Sequence, residues 1–317
     1  MTLPIARDLD RLRTALDQLS GLTYTKGHGT GNDFVLVADL DGETELSPDH
    51  VEALCDRHLG VGADGLIRVV ESRHLIEGRD LLAEHPEATW FMDYRNADGS
   101  LSEICGNGVR VFVHYLRRRG LVHLEPGQAL TIGTRAGLRT VDRLADGYSV
   151  DMGPWSYLDP ELAEERASDS LVLAAGLADP RPALSLSLGN PHTVVALSEE
   201  AELQEVDLTR APNVDPVPPN GSNVEFVVPA DPLFYEGVGR VQMRVHERGV
   251  GETLSCGTGA CAAATAVRLW AGDQDALRWS VGLPGGTLGV EFRPQPDGSE
   301  RVVLSGPAVL VSDGTVV

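Results

Sequence analysis

One pattern occurs twice along this chain, and it limits the possible folds more than any other feature. GNDFVLV (Gly31 to Val37) is followed by CGNGVRVFVHYLRRRG (Cys105 to Gly120), and GNPHTVVAL (Gly189 to Leu197) by CGTGACAAATAVRLWAG (Cys256 to Gly272). Each copy has a Gly-Asn pair entering an apolar run of strand character. At a similar distance downstream, a Cys-Gly-x-Gly turn enters a helical segment that closes at glycine. A duplication of this kind predicts two half-chains of one layout, with their Cys-Gly-x-Gly turns across a shared cleft. A length of 317 residues is enough for two domains, each with its own core.

Periodicity supports the helices. Val109, Phe112, Val113 and Leu116 recur at one face, and Arg117 to Arg119 complement the dipole before Gly120. The second segment is alanine-rich, with almost no polar face before Arg268, which predicts burial all round. Short apolar runs between turns, such as TVVALS, VEFVVPADP and RVQMRVHERG, predict many strands. The expected class is α+β: two pseudo-symmetric domains, each an antiparallel sheet or barrel around a central helix. Residues 1–21 read as an extension, with Ile5, Leu9, Leu12, Leu16 and Leu19 on one stripe of a helix. The first half is expected over 22–135, with a strand from about 303–317 returning to it, and the second over 136–302.

Charge narrows the function. Lys+Arg 26 against Asp+Glu 47 gives a net charge of −21, which repels phosphate backbones and anionic lipid surfaces, so neither nucleic acid nor membrane is expected as a partner. The N-terminus breaks its apolar character with acids and arginines too often for a secretory signal, so a cytoplasmic protein is expected. Four cysteines, none spaced as CxxC, do not make a disulfide scaffold. Cys55 and His58 have metal-ligand spacing without a second pair nearby, so Cys55 reads as a buried small hydrophobe and no metal is expected. GHGTGN has Asn32 where a dinucleotide loop needs its third glycine, and a strand follows instead of a helix.

A cysteine at a helix start faces unpaired N–H groups and the positive end of the dipole, which favours its thiolate. Flanking glycines leave those N–H groups open to an anion. Either cysteine alone would read as a buried structural thiol. Two in duplicated contexts suggest one thiolate removing a proton from a carbon while the opposing thiol protonates the other face. An amino acid suits this chemistry, its carboxylate held by both helix starts as charge develops, with no cofactor required.

RNADGSLSEICGNGVR (Arg95 to Arg110) and HERGVGETLSCGTGACA (His246 to Ala262), with HGTGNDF, GVGADG, GNPH and GSNVEF in that order, closely resemble the diaminopimelate epimerase family of cofactor-independent amino-acid epimerases. The matched stretches run from Lys26 to about Ala266. The resemblance implies that Cys105 and Cys256 are the catalytic base and acid. It implies that Gly106, Asn107, Gly257 and Thr258 hold the reacting carboxylate through backbone N–H groups. Asn32, Asn96, Asn190, Asn223, Glu247 and Arg248 are implied to bind substrate, with His192 lining the site. It further implies conversion of LL-diaminopimelate to the meso form in lysine and cell-wall precursor synthesis, and a homodimer. Gly65 departs from the pattern, standing where some members carry a glutamine that reaches substrate; His246 stands where an aromatic residue is common. A proline or hydroxyproline racemase, and a thiol redox protein or non-catalytic amino-acid binder, are the other readings the residues allow.

Overall fold

A computed structural model describes residues 4–273 and 275–317, with side chains from Leu9 onward; the Ile5 side chain lies outside them. Two compact units emerge, one running to Val150 and taking in Pro307–Val317, the other Asp151–Gly306.

The first unit contains α1 (Pro4–Gln18), β1 (Thr23–Gly29), β2 (Asn32–Ala38), α2 (Pro48–Cys55), β3 (Gly65–Glu71), α3 (Ile76–Glu84), β4 (Trp90–Asn96), α4 (Gly106–Arg118), β5 (Ala129–Thr134) and β6 (Gly137–Leu144). The chain leaves it along β7 (Gly147–Pro154). The second contains β8 (Ser156–Tyr157), α5 (Pro160–Arg166), β9 (Ser170–Leu173), β10 (Arg181–Ser187), β11 (Pro191–Ala196), α6 (Glu200–Glu205), β12 (Asn213–Asp215), β13 (Asn223–Tyr235), β14 (Val238–Glu247), β15 (Gly251–Thr253), α7 (Gly257–Ala271), β16 (Arg278–Leu283), β17 (Gly286–Pro294) and β18 (Glu300–Gly306). Strand β19 (Val309–Thr315) belongs to the first unit, antiparallel to β1.

The duplication extends to strand pairing. In the first unit β1–β2 is antiparallel, β2–β3 parallel and β3–β4 antiparallel. In the second β10–β11, β11–β13 and β13–β14 repeat that order. The pattern continues with β4–β5 and β14–β16 parallel, then β5–β6 and β16–β17 antiparallel. The sheets are therefore mixed, which corrects the expectation of antiparallel pairing throughout. A parallel pair needs a crossover, which α2 supplies between β2 and β3 and α6 between β11 and β13.

Helix α4 packs against β1, β2, β3, β4, β6 and β19, and α7 against β10, β11, β13, β14, β16, β17 and β18. Val109, Phe112, Val113 and Leu116 are fully buried in the first helix, Ala260 to Ala264 in the second. At roughly 1.5–3 kcal/mol per large apolar side chain, burial of the α4 face stabilises the first unit substantially.

The boundary near residue 135 is corrected. Gly133 to Gly137 is the tip of the β5–β6 hairpin, with Thr134 paired to Gly137, and β6 continues in register to β7. A Gly-rich hairpin tip has the composition of a linker. Helix α1 packs on α2 through Leu12 and Ala15 against Ala53, whereas Leu9, of the same predicted stripe, is partly exposed.

Candidate active site

In the first unit Cys105 is the N-cap of α4, in extended conformation, its sulfur accepting the Gly108 N–H at 3.4 Å. Its S–H donates to Asn32 Oδ1 at 3.5 Å, and Asn107 Nδ2 donates to the same oxygen at 3.1 Å. Asn32 is placed by the β1–β2 turn, where Thr30 and Gly31 both take positive φ (57° and 82°), as a two-residue type I′ hairpin requires. Thr30 is the strained member of the pair. Its hydroxyl accepts from the buried Arg110 Nη2 at 3.4 Å.

Two charged groups bracket these amides. Arg110 Nη2 donates to Asn107 Oδ1 at 2.8 Å, and Asn32 Nδ2 donates to Asp64 Oδ2 at 2.8 Å. Asp64 also accepts the Asp33 N–H at 3.0 Å and Arg57 Nη2 at 2.6 Å. Burial, with the neighbouring Asp33, raises the Asp64 carboxyl above the ordinary range against the pull of the Asn32 amide. Burial would raise Asp33 too, but Arg57 and Lys26 hold it well below.

Asn96 closes β4, its Nδ2 donating to Ser100 Oγ at 3.0 Å within a tight turn. Gly65 pairs with Asn96 across β3–β4. A Cβ at Gly65 would lie 2.7 Å from the Arg95 carbonyl oxygen and 2.7 Å from Tyr94 Cε2. Any side chain at Gly65 would thus crowd both the Arg95 backbone and the Tyr94 ring.

In the second unit Cys256 is the N-cap of α7, accepting the Gly259 N–H at 3.4 Å, with Thr258 Oγ1 at 3.6 Å. A chain of polar contacts leads away from it. Asn190 Nδ2 donates to Thr258 Oγ1 at 3.5 Å; Asn190 Oδ1 lies 3.0 Å from His192 Nε2; His192 Nδ1 lies 2.7 Å from Glu225 Oε1. His192 and Glu225 are fully buried, on the parallel strands β11 and β13. Glu225 Oε2 has no hydrogen-bond partner among the described residues. Burial first, then the carboxylates of Glu247 and Glu225, push the Cys256 thiol well above its ordinary value, while the Thr258 hydroxyl and Gly259 N–H pull the other way.

Asn223 opens β13, and its Oδ1 accepts the Arg248 N–H at 2.9 Å. Glu247 closes the paired β14 and accepts from Thr253, while the Arg248 guanidinium donates to the Asn220 carbonyl. These three residues therefore share one end of the β13–β14 ladder, where the exposed Arg248 is bonded to Asn220 and Asn223 and not to Glu247. Gly106, Asn107, Gly257 and Thr258 form the first turns of α4 and α7. Sequence reasoning misses Asp64, Arg110 and Glu225 as site residues, although each lies inside a motif that it singles out: GVGADG, CGNGVR and GSNVEF.

Two units of one topology, each built around a central helix, define a fold class that solved structures share. A PhzF-family phenazine biosynthesis protein of Bacillus anthracis superposes with TM-score 0.65 at 17% identity, over 93% of this chain and 99% of that one. A hydroxyproline epimerase of Agrobacterium vitis gives TM-score 0.60 at 13% identity, over 93% and 92%. At such identities the likeness is one of fold.

Sequence likeness is narrower. The diaminopimelate epimerase family profile matches residues 24–158 and 184–311. Diaminopimelate epimerase of Rhodococcus jostii (strain RHA1) is 44% identical over 307 residues, covering 93% of this chain and 97% of that protein. Its counterpart in Thermobifida fusca (strain YX) is 45% identical over 301 residues, covering 93% and 98%. The chain belongs to the diaminopimelate epimerase family. Among the described residues no helix is long and apolar enough to cross a membrane.

Proposed function

We propose that this chain interconverts LL-2,6-diaminopimelate and meso-diaminopimelate, without a cofactor, by proton removal and return at one α-carbon. One cysteine, as thiolate, takes the α-proton; the other, as thiol, delivers a proton to the opposite face, and the roles exchange in the reverse direction. Negative charge develops on the α-carboxylate as the proton leaves. Backbone N–H groups of Gly106, Asn107, Gly257 and Thr258 are suited to receive it, because helix starts carry open donors and positive dipole ends. Asn32, Asn96, Asn190, Asn223, Glu247 and Arg248 supply the amides and charges that an amino acid with two zwitterionic ends requires.

The observation that carries this reading is the pair of N-capping sulfurs, Cys105 and Cys256, each accepting the N–H three residues on at 3.4 Å. Incubation with LL-diaminopimelate in deuterated water, without pyridoxal phosphate, is expected to place deuterium at the α-carbon, followed by mass spectrometry. Cys105→Ala or Cys256→Ala each abolishes inversion. Wild-type rates in the double alanine variant would end the proposal. A panel including proline and hydroxyproline tests substrate choice. The protein is further proposed to be cytoplasmic and to act as a homodimer, the latter measured by light scattering.

A further inference from the structure

Beyond the thiols themselves, the first unit contains a run of polar contacts with a fixed direction. A carboxamide turned through half a revolution exchanges its C=O and NH2, so Asn32 and Asn107 have no intrinsic orientation. Their neighbours decide it. Asp64 accepts from the Asp33 N–H at 3.0 Å and from Arg57 at 2.6 Å, so it can offer Asn32 only an acceptor. Asn32 must therefore turn its NH2 to Asp64, at 2.8 Å. At the other end Arg110 has only donors, and the Asn107 Oδ1 must face it, at 2.8 Å. Asn107 then has NH2 left for Asn32, and the Asn32 oxygen collects it at 3.1 Å together with the Cys105 S–H at 3.5 Å.

We infer that Asp64 and Arg110 are positioning residues that fix the polarity of an Asn32–Asn107 carboxamide relay, so that Cys105 faces a hydrogen-bond acceptor and is held as a thiol until substrate arrives. The relay opposes the helix start. The Gly108 N–H and the dipole of α4 favour thiolate, while the Asn32 oxygen, with both its lone pairs engaged, favours S–H. A thiol poised between the two can both give and take a proton. This role rests on the epimerase reading for its chemistry, but the polarity of the relay does not.

The isosteric Asp64→Asn tests it. An asparagine at 64 keeps a single oxygen; placed on the charged Arg57 guanidinium, it leaves its NH2 where Oδ2 had accepted both the Asp33 N–H and the Asn32 amide. The NH2 therefore meets the Asn32 amide, whose polarity is no longer fixed; when turned, it gives up its bond from Asn107 and offers a donor to the Cys105 sulfur. Alkylation of the full-length protein by iodoacetamide at neutral pH, followed as the mass of the Cys105 peptide, is expected to be about ten-fold faster than in wild type, the effect of one pKa unit on the thiolate fraction. With LL-diaminopimelate, kcat is expected to fall roughly 10²-fold with a smaller rise in KM, because the turned Asn32 amide acts on the thiol and also faces the substrate. Asp64→Glu keeps an acceptor-only group and is expected to restore the slow alkylation.

Alkylation of Asp64→Asn at the wild-type rate, or equal acceleration in Asp64→Asn and Asp64→Glu, would overturn the inference. Should circular dichroism show Asp64→Asn unfolded, Arg110→Lys against Arg110→Met asks the same question at the other end. Lysine keeps the slow alkylation and methionine loses it; equal behaviour counts against the relay. If wild-type enzyme leaves diaminopimelate unchanged, the proposed substrate fails, while the ranking of alkylation rates still decides the relay.

Discussion

Burial alone does not distinguish the thiols of this chain. Desolvation pushes Cys55 up to about 12, and desolvation is also the largest influence raising Cys256. The difference lies in what surrounds each sulfur. Cys256 has a helix-start N–H and the Thr258 hydroxyl within reach, and two carboxylates acting against them. Glu225→Gln removes one of those negative charges and keeps the side chain's shape beside His192. The sign is fixed: with less negative charge nearby, the thiolate costs less and the Cys256 thiol titrates lower than in wild type. An ultraviolet thiolate titration of the variant against the parent measures it, and an unchanged or higher midpoint would show that Glu225 does not act on the sulfur. Both cysteines are legible in the sequence, because their helix-start context is local. Glu225 is not: it lies on β13, reaching His192 from a parallel neighbour, and no local pattern records a parallel register.

The two Cys-Gly-x-Gly turns look alike as strings, and as elements they are built differently. At Gly108 an added Cβ would meet Ile67 Cδ1 at 3.4 Å and Cys105 Cβ at 3.5 Å, which is ordinary contact. At Gly259 it would lie 2.7 Å from Glu225 Oε1 and 3.2 Å from Cys256 Sγ. Gly108→Ala is therefore expected to leave stability unchanged or raise it by about 0.5–1 kcal/mol, since alanine loses less backbone freedom in a helix. Gly259→Ala is expected to cost roughly 1–3 kcal/mol through overpacking against a buried carboxylate. Thermal unfolding of the two variants gives the comparison, and equal shifts would refute the asymmetry. Element types are largely legible: α4 falls where its apolar spacing puts it, and α7 where its alanine-rich run does. Less visible are α2, announced only by the Ser47 cap and Pro48, and α3, where Gly78 is the buried position. The parallel pairs β2–β3 and β11–β13 escape a reading of residue alternation, since strand direction depends on crossovers.

On the scale of the whole chain, the second unit is one continuous segment, Asp151–Gly306, whereas the first is completed only by the C-terminal Pro307–Val317. Those last residues are bound at several points. Strand β19 runs antiparallel to β1 from Thr23 against Thr315 to His28 against Val309, with a bulge between Lys26 and Gly27. Asp313 accepts from Thr25 and Arg119, and the Pro307 carbonyl accepts from Arg110 Nε. Without them β1 loses its partner on one side, and Arg110 loses one of the contacts that hold it at the start of α4. A chain ending at Gly306 is therefore expected to unfold in two separate calorimetric steps, the first unit at the lower temperature, with hydrogen exchange fastest in β1. The segment 151–306 alone is expected to retain its cooperative transition, because its ladders from β10–β11 to β17–β18 close within it and only β7, the partner of β18, crosses its boundary. A peptide of residues 307–317 added to the truncated chain should slow β1 exchange again, as a ligand that binds only the folded form does. Full-length protection of β1 in the truncated chain would show that the first unit is complete without its last strand.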